Sequence, residues 1–380
     1  METEHVARRP FTKRARTASP HDRRRSEGTS WVGRYGLALI LVVLLIGFSL
    51  AKPSSFATIN NYRSILNNEV VIVLLALAAM MPLIIGEFDL SVAAILGVSQ
   101  ALVTGLCALQ GLPPGVAVPL ALLASAVLGG VNGLVIVKFR INAFIATLAS
   151  STVMGGVVIW YTNGSPIYKG VPHSLTSLAR GSIVGIPLPV LYLAVVAAVL
   201  WFVLARLPIG RRLYAIGGNR RAAQLSGIRA DRLVIASFIA SGTLAGLAGI
   251  VLGSKLGSTV PGGEGAYLLP AFAGAFLGAT AIQSGRFNPI GTVLASYTLS
   301  VAIAGLQQLG APAWVQPVFN GTVLVLAVGL SGYATRAKAA RARARQLARI
   351  GEGSERSPQS PTDTAATVTD GPRPMEEISG

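Results

Sequence analysis

The sequence predicts an all-α polytopic membrane protein of about ten transmembrane helices, with both termini inside and one or two broken or re-entrant segments. Three observations predict it. Of 380 residues, 52% are hydrophobic and only 12% charged, with mean hydropathy +0.60; soluble globular chains carry about 25% charged residues. Apolar runs near the ~20 residues that cross a hydrocarbon core recur through 35–333. The basic residues sit in tails and loops between those runs, so the net charge of +17 points to membrane orientation rather than nucleic acid. With both ends inside, 27 of the 32 Lys and Arg fall on inside segments, and ten against five do so when the tails are ignored. That is the bias of the positive-inside rule.

Residues 1–34 are polar and arginine-rich, lack a cleavable-signal layout, and read as a disordered basic cytoplasmic tail. Spans are expected at 35–51 and, after a polar connector at 52–69, at 70–86, interrupted by Pro82. The third, 90–109, follows the segment Gly86-Glu87-Phe88-Asp89-Leu90-Ser91-Val92. Asp89 and Ser91 are placed to cap the helix that begins near Leu90. A carboxylate at membrane depth would instead count as functional, and the residues leave both readings open.

The fourth span, 116–137, carries Gly129–Gly133, whose small residues let helix backbones approach. Asn132 has hydrogen bonding across helices as one reading and simple packing as the other. A fifth span at 141–161 ends in Trp160 and Tyr161, and a polar break at 163–188 leads to a sixth at 189–207. The seventh, 233–253, has a stripe of Gly242, Gly246, Gly249 and Gly253 that reads as a packing face. Residues 257–282 are short and Gly/Pro-interrupted, which fits either a broken helix near a transport path or a tilted span. Spans at 289–309 and 314–333 follow, and then a tail at 334–380, basic at first and Ser/Pro/Thr-rich after, that reaches anionic lipid and lacks apolar residues to fold.

The loop at about 207–232 is the polar interruption around which the chain is organised. Asn219 is placed to cap a short helix over 220–226, and Gly227 to end it in the left-handed conformation. So short a helix is marginal alone. It is either an ordinary basic cytoplasmic loop or a helix held by membrane helices above and a soluble partner below.

Chemistry is absent elsewhere. Cys107 is alone, so no intrachain disulfide is possible, and His5, His21 and His173 have no metal-ligand spacing. There is no P-loop, no H-E-x-x-H, no nucleophile–base pair, and no acid–base pair at midspan. No cofactor or metal is expected in this chain, and no enzymatic activity.

Residues 66–332 resemble the permeases of ribose/xylose/galactose-type ABC importers, within a superfamily that includes branched-chain amino acid permeases. The likeness rests on GEFDLSV, VNG, NAFIATLAS, GGNRRAAQLSGI, FLGATAIQSGRFNPIGT and GLQQLGAPAWVQPVFNG. The chain departs from the family at Ala93, where glycine is usual. The resemblance implies a bacterial plasma-membrane permease working as a homo- or heterodimer. Its implied partners are a cytoplasmic ATPase, tandem in arrangement, that uses ATP and Mg, and an extracytoplasmic sugar-binding protein. It also implies that the loop docks its helix on the ATPase through Gly218, Asn219, Ala222, Ala223 and Gly227, and that Glu87, Asp89 and Ser91 form a family motif, at the pathway or as a cap. Other classes to weigh are a branched-chain amino acid or nucleoside permease, an ion-coupled carrier acting alone, and a non-transport scaffold.

Overall fold

A computed structural model describes residues 20–282 and 285–329, with side chains from Tyr35 onward. The tail at 334–380 and residues 1–19 lie outside the described residues. The remainder of the predicted N-terminal tail continues the first span upstream as helix α1, Pro20–Ala51. Its opening proline sits where a missing N–H costs nothing.

The helices that follow are α2 (Ile59–Ile84), α3 (Val92–Ala108), α4 (Pro114–Phe139), α5 (Ala143–Thr162), α6 (His173–Arg180) and α7 (Leu188–Arg206). Next come α8 (Pro208–Gly218), α9 (Arg220–Leu225), α10 (Ala230–Leu256), α11 (Leu268–Gly278), α12 (Pro289–Gln308) and α13 (Val315–Gly329). A two-stranded hairpin, β1 (Ser182–Ile183) with β2 (Ile186–Pro187), precedes α7. Among the described residues, six helices are long and apolar enough to cross a membrane: α2, α4, α5, α7, α10 and α12.

One further expectation is corrected here. The connector at 52–69 is mostly helix: α2 starts eleven residues before the predicted span, because Thr58 accepts the Asn61 N–H and caps it. Its polar residues therefore occupy helical turns, and Glu69 lies within α2. The polar break at 163–188 carries α6 and the β1–β2 hairpin. Ile167 pairs with Thr259, and the Arg180 side chain donates to the Lys255 and Leu256 carbonyls.

α10 is the axis of the bundle and packs against α2, α3 and α4. Its glycine stripe is the packing face that the spacing predicts. A Cβ at Gly242 would lie 2.4 Å from the Ser125 carbonyl oxygen, and one at Gly129 would lie 2.2 Å from that of Phe238. The α4 and α10 backbones thus touch with no room for a side chain, the geometry that small residues permit in a bilayer. Gly129→Leu is expected to force the two helices apart. Overpacking of this kind costs about 1–3 kcal/mol or more. Thermal melting of the detergent-solubilised protein, read by size exclusion, should show a lowered midpoint, and an unchanged one would refute the contact.

Residues 257–282 break as the glycines and prolines suggest. α11 has eleven residues, about 16 Å of helix, against a core of about 30 Å. A 3-10 turn, Glu264–Tyr267, precedes it and packs beside Gly97 of α3. The segment therefore enters the bundle as irregular chain and becomes helical only partway along.

The charged groups separate by end of the bundle. At the C-terminal end of α2, Gly217 lies on Ile84, and Arg140 shares a groove with Glu87, Arg220 and Asp231. At the other end, Lys255 donates to the Asn67 carbonyl and to Asn68, and Arg63 lies against Gly185. These are the two groups that the charge count assigns to opposite sides.

Candidate functional site

The loop between α7 and α10 contains two helices where the sequence reading has one. α8 begins with Pro208 in its first turn and buries Gly210, Leu213 and Ile216 on one face. Leu213 and Ile216, three apart behind a helix-starting proline, were the available signal. A Cβ on Gly217 would fall 2.0 Å from the Ile84 carbonyl oxygen, so α8 meets the end of α2 backbone to backbone. Tyr214 donates to the Phe287 carbonyl at 2.6 Å, under the Arg286 guanidinium 3.6 Å from its ring centre. Burial raises the Tyr214 phenol above its ordinary pKa, and Arg286 offsets part of that. The phenol stays neutral and can keep donating.

α9 is built as its sequence dictates. Asn219 Oδ1 accepts the Ala222 N–H at 3.0 Å. At the other end Gly227 adopts φ +79°, its N–H donating to the Gln224 carbonyl, and the Ile228 N–H reaches back to Ala223. That pair of bonds is a Schellman ending, which needs the left-handed residue. Arg220 adds a tether. Its guanidinium lies 2.9 Å from Glu87 and 3.2 Å from Asp231, so the helix is tied both to the segment before α3 and to the start of α10.

Four of the five predicted docking residues, Gly218, Asn219, Ala222 and Gly227, are exposed on this surface. Ala223 is not. It is 5% exposed and belongs to the hydrophobic core. Two residues further on, about 200° around the helix, Leu225 points the other way and is 84% exposed. Sequence reasoning missed Leu225, because which face is free depends on knowing that Ala223 is inside.

The Gly86–Val92 segment is held at every residue that the motif contains. Gly86 turns the chain at φ +85°. Glu87 takes Arg220. Phe88 stacks on Phe272 and Phe276 of α11, with ring centres 6.4 and 6.0 Å away. Asp89 is fully buried: Oδ1 accepts from the Ser91 N–H and hydroxyl, and Oδ2 from Ser241 of α10 at 2.8 Å. Ser91 in turn accepts from Asn132 of α4 at 2.8 Å, and the Leu90 N–H donates to Thr147 of α5 at 3.1 Å.

The capping expectation is therefore corrected. Ser91 occupies the N-cap position of α3 but makes no capping hydrogen bond, since its hydroxyl is drawn to Asp89. Asp89 meets Ser241 eleven residues into α10, roughly 16 Å along the helix, so it lies deep in the bundle rather than at an edge. Of the alternatives for Asn132, bonding across helices is what the structure contains. Ser241 and Thr147 carried no sequence signal.

Helices that bury a hydrogen-bonded carboxylate among apolar spans, with a capped basic loop at one end, define a multi-pass membrane protein. The chain belongs to the family described as branched-chain amino acid transport system / permease component, whose model matches residues 61–328. It is similar to the ribose import permease protein of Bacillus subtilis strain 168, 37% identical over 296 residues, covering 78% of this chain and 91% of the relative. It is also similar to the D-allose transport system permease protein of Escherichia coli K12, 30% identical over 321 residues, 84% of this chain and 98% of the relative. The autoinducer 2 import system permease protein of Photorhabdus laumondii is 28% identical over 306 residues, 79% and 91% respectively. No solved structure matches.

Proposed function

We propose that this chain is the membrane-spanning subunit of an ATP-driven importer for a monosaccharide or a related small polyol or furanose. Two permease copies would sit in the bacterial plasma membrane, with ATP and Mg used by a separate ATPase and the solute delivered by an extracytoplasmic binding protein. The observation that carries the reading is the likeness, along nearly the whole length of the relatives, to permeases named for ribose and allose import. Geometry supports the coupling part. α9 presents Ala222 and Leu225 outward, while Ala223, Gly217 and the caps hold the helix to the bundle.

The mechanism is alternating access. ATP and solute must bind the two states of the pathway with different affinity, or neither shifts the equilibrium. A push on α9 reaches the Gly86–Val92 segment through Arg220 and Glu87, and from there α10 and α11 through Asp89 and Phe88. The surface ion pair itself contributes little stability, about 0–1 kcal/mol. Its use is geometric.

Uptake of radiolabelled D-ribose by liposomes holding the permease, its co-purifying ATPase and the binding protein tests this. ATP-dependent ribose uptake is expected. Leucine uptake in its place would move the chain to the amino acid branch of the family. Uptake by the permease alone under an ion gradient would make it a secondary carrier.

A further inference from the structure

Away from the loop, at the opposite half of α2, lies a cavity of about 160 Å³ between α2, the first turn of α11, α12 and α13. Its polar lining includes Glu69, Ser296, Ser300, Gln316 and Asn320, with Pro270 of α11 at its wall. That volume holds on the order of ten water-sized groups.

The lining is unusual for a bundle interior. Ser296 is 1% exposed and Asn320 5%, yet Ser296 Oγ and Asn320 Oδ1 have no hydrogen-bond partner among the described residues. The threonines of α12 behave otherwise: Thr298 donates to the Leu294 carbonyl at 2.7 Å and Thr292 donates to Met80. Buried polar atoms without partners are costly, and where no water is at hand each costs several kcal/mol. No arginine or lysine lies within ion-pairing distance of Glu69 among the described residues. Lys255 is held instead by the Asn67 carbonyl and by Asn68, which lines the same cavity. A carboxyl group, four amides and two hydroxyls beside aliphatic wall suit a neutral ligand with several adjacent hydroxyls.

We propose that this cavity is a polyol-binding subsite on the translocation path, in which the Glu69 carboxylate accepts two neighbouring sugar hydroxyls while Ser296 and Asn320 pair with others. The proposal rests on the sugar-importer reading and adds to it the residues that recognise the solute inside the permease. The position fits a path. The irregular entrance to α11 leaves its first turn at the cavity, and chain that is not helical at membrane depth is tolerated where it lines a cavity.

The test is uptake by the complete importer with D-ribose and L-arabinose as probes, for wild type, Glu69→Gln and Asn320→Ala. Each variant should still co-purify with the ATPase and melt within a few degrees of wild type. Initial ribose uptake below saturation should fall at least tenfold in Glu69→Gln, and the ribose-to-arabinose ratio should change. A purely structural role would lower both sugars alike, and that outcome overturns the proposal. If Glu69→Gln does not assemble, Asn320→Ala carries the same comparison, and an unchanged rate and ratio in it are fatal. A wild-type importer that moves leucine but no sugar sinks the parent reading and this one together. Ribose uptake that is normal in both variants sinks only this one.

Discussion

Asp89→Ala is expected to leave a chain that reaches the membrane poorly and melts far below wild type. The carboxylate accepts from the Ser91 N–H, the Ser91 hydroxyl and the Ser241 hydroxyl, all at positions with no access to solvent. Removing it strands the two Ser91 donors and opens a void. A buried donor left without an acceptor costs about 1–3 kcal/mol, against a total stability on the order of 5–15 kcal/mol. The Ser91 hydroxyl also orients Asn132, so the damage reaches α4. Asp89→Asn should be milder. Its amide oxygen can still accept from Ser91, and Ser241 can turn its hydroxyl to the carbonyl four residues back. The measurement is the fraction of monodisperse protein after stepwise heating in detergent. An alanine variant as stable as wild type would mean that the hydrogen bonds around Asp89 do not hold the helices together.

That network marks the limit of what the sequence discloses. Local devices were legible, because their partners are a few residues away. Asn219 and Gly227 cap α9 as their types require, and Gly242 and Gly249 give the packing face that their spacing predicts. The broken segment before α11 was one of two readings that its glycines and prolines left open, and the structure contains it. Long-range partners were not legible. Ser241 lies 152 positions from Asp89, and a serine in a helix more often bonds to its own backbone. The start of α2 was misplaced for a related reason. Asn60, Asn61, Arg63, Asn67 and Asn68 look like loop, yet a helix accepts them where one face meets a polar cavity or the bundle end. Ser91 failed as a cap because Asp89 competes for its hydroxyl, a tertiary fact in a local motif.

The surface of α9 shows the same division and yields the sharpest functional test. Leu225 is 84% exposed at the end of a helix whose other face is anchored by Ala223. Apolar side chains scattered singly on a surface need no explanation, but this one stands on the short helix that Arg220 ties to Glu87. Under the proposed function it is the side chain that an ATPase meeting this helix would contact. An interface residue whose loss costs about 2 kcal/mol counts as a hot spot, and that loss is roughly a 30-fold fall in affinity. Leu225→Asp should abolish co-purification of the ATPase and reduce ATP-driven uptake at least tenfold, with the melting midpoint unchanged because the side chain is exposed. Ala223→Trp should behave in the opposite order. Its bulk would enter the core beneath α9, so melting should fall first and coupling as a consequence. If Leu225→Asp transports normally while Ala222→Trp does not, the partner meets α9 on the Ala222 side, and Leu225 is only an exposed leucine. If neither change affects uptake, α9 is not the surface through which the ATPase drives this permease.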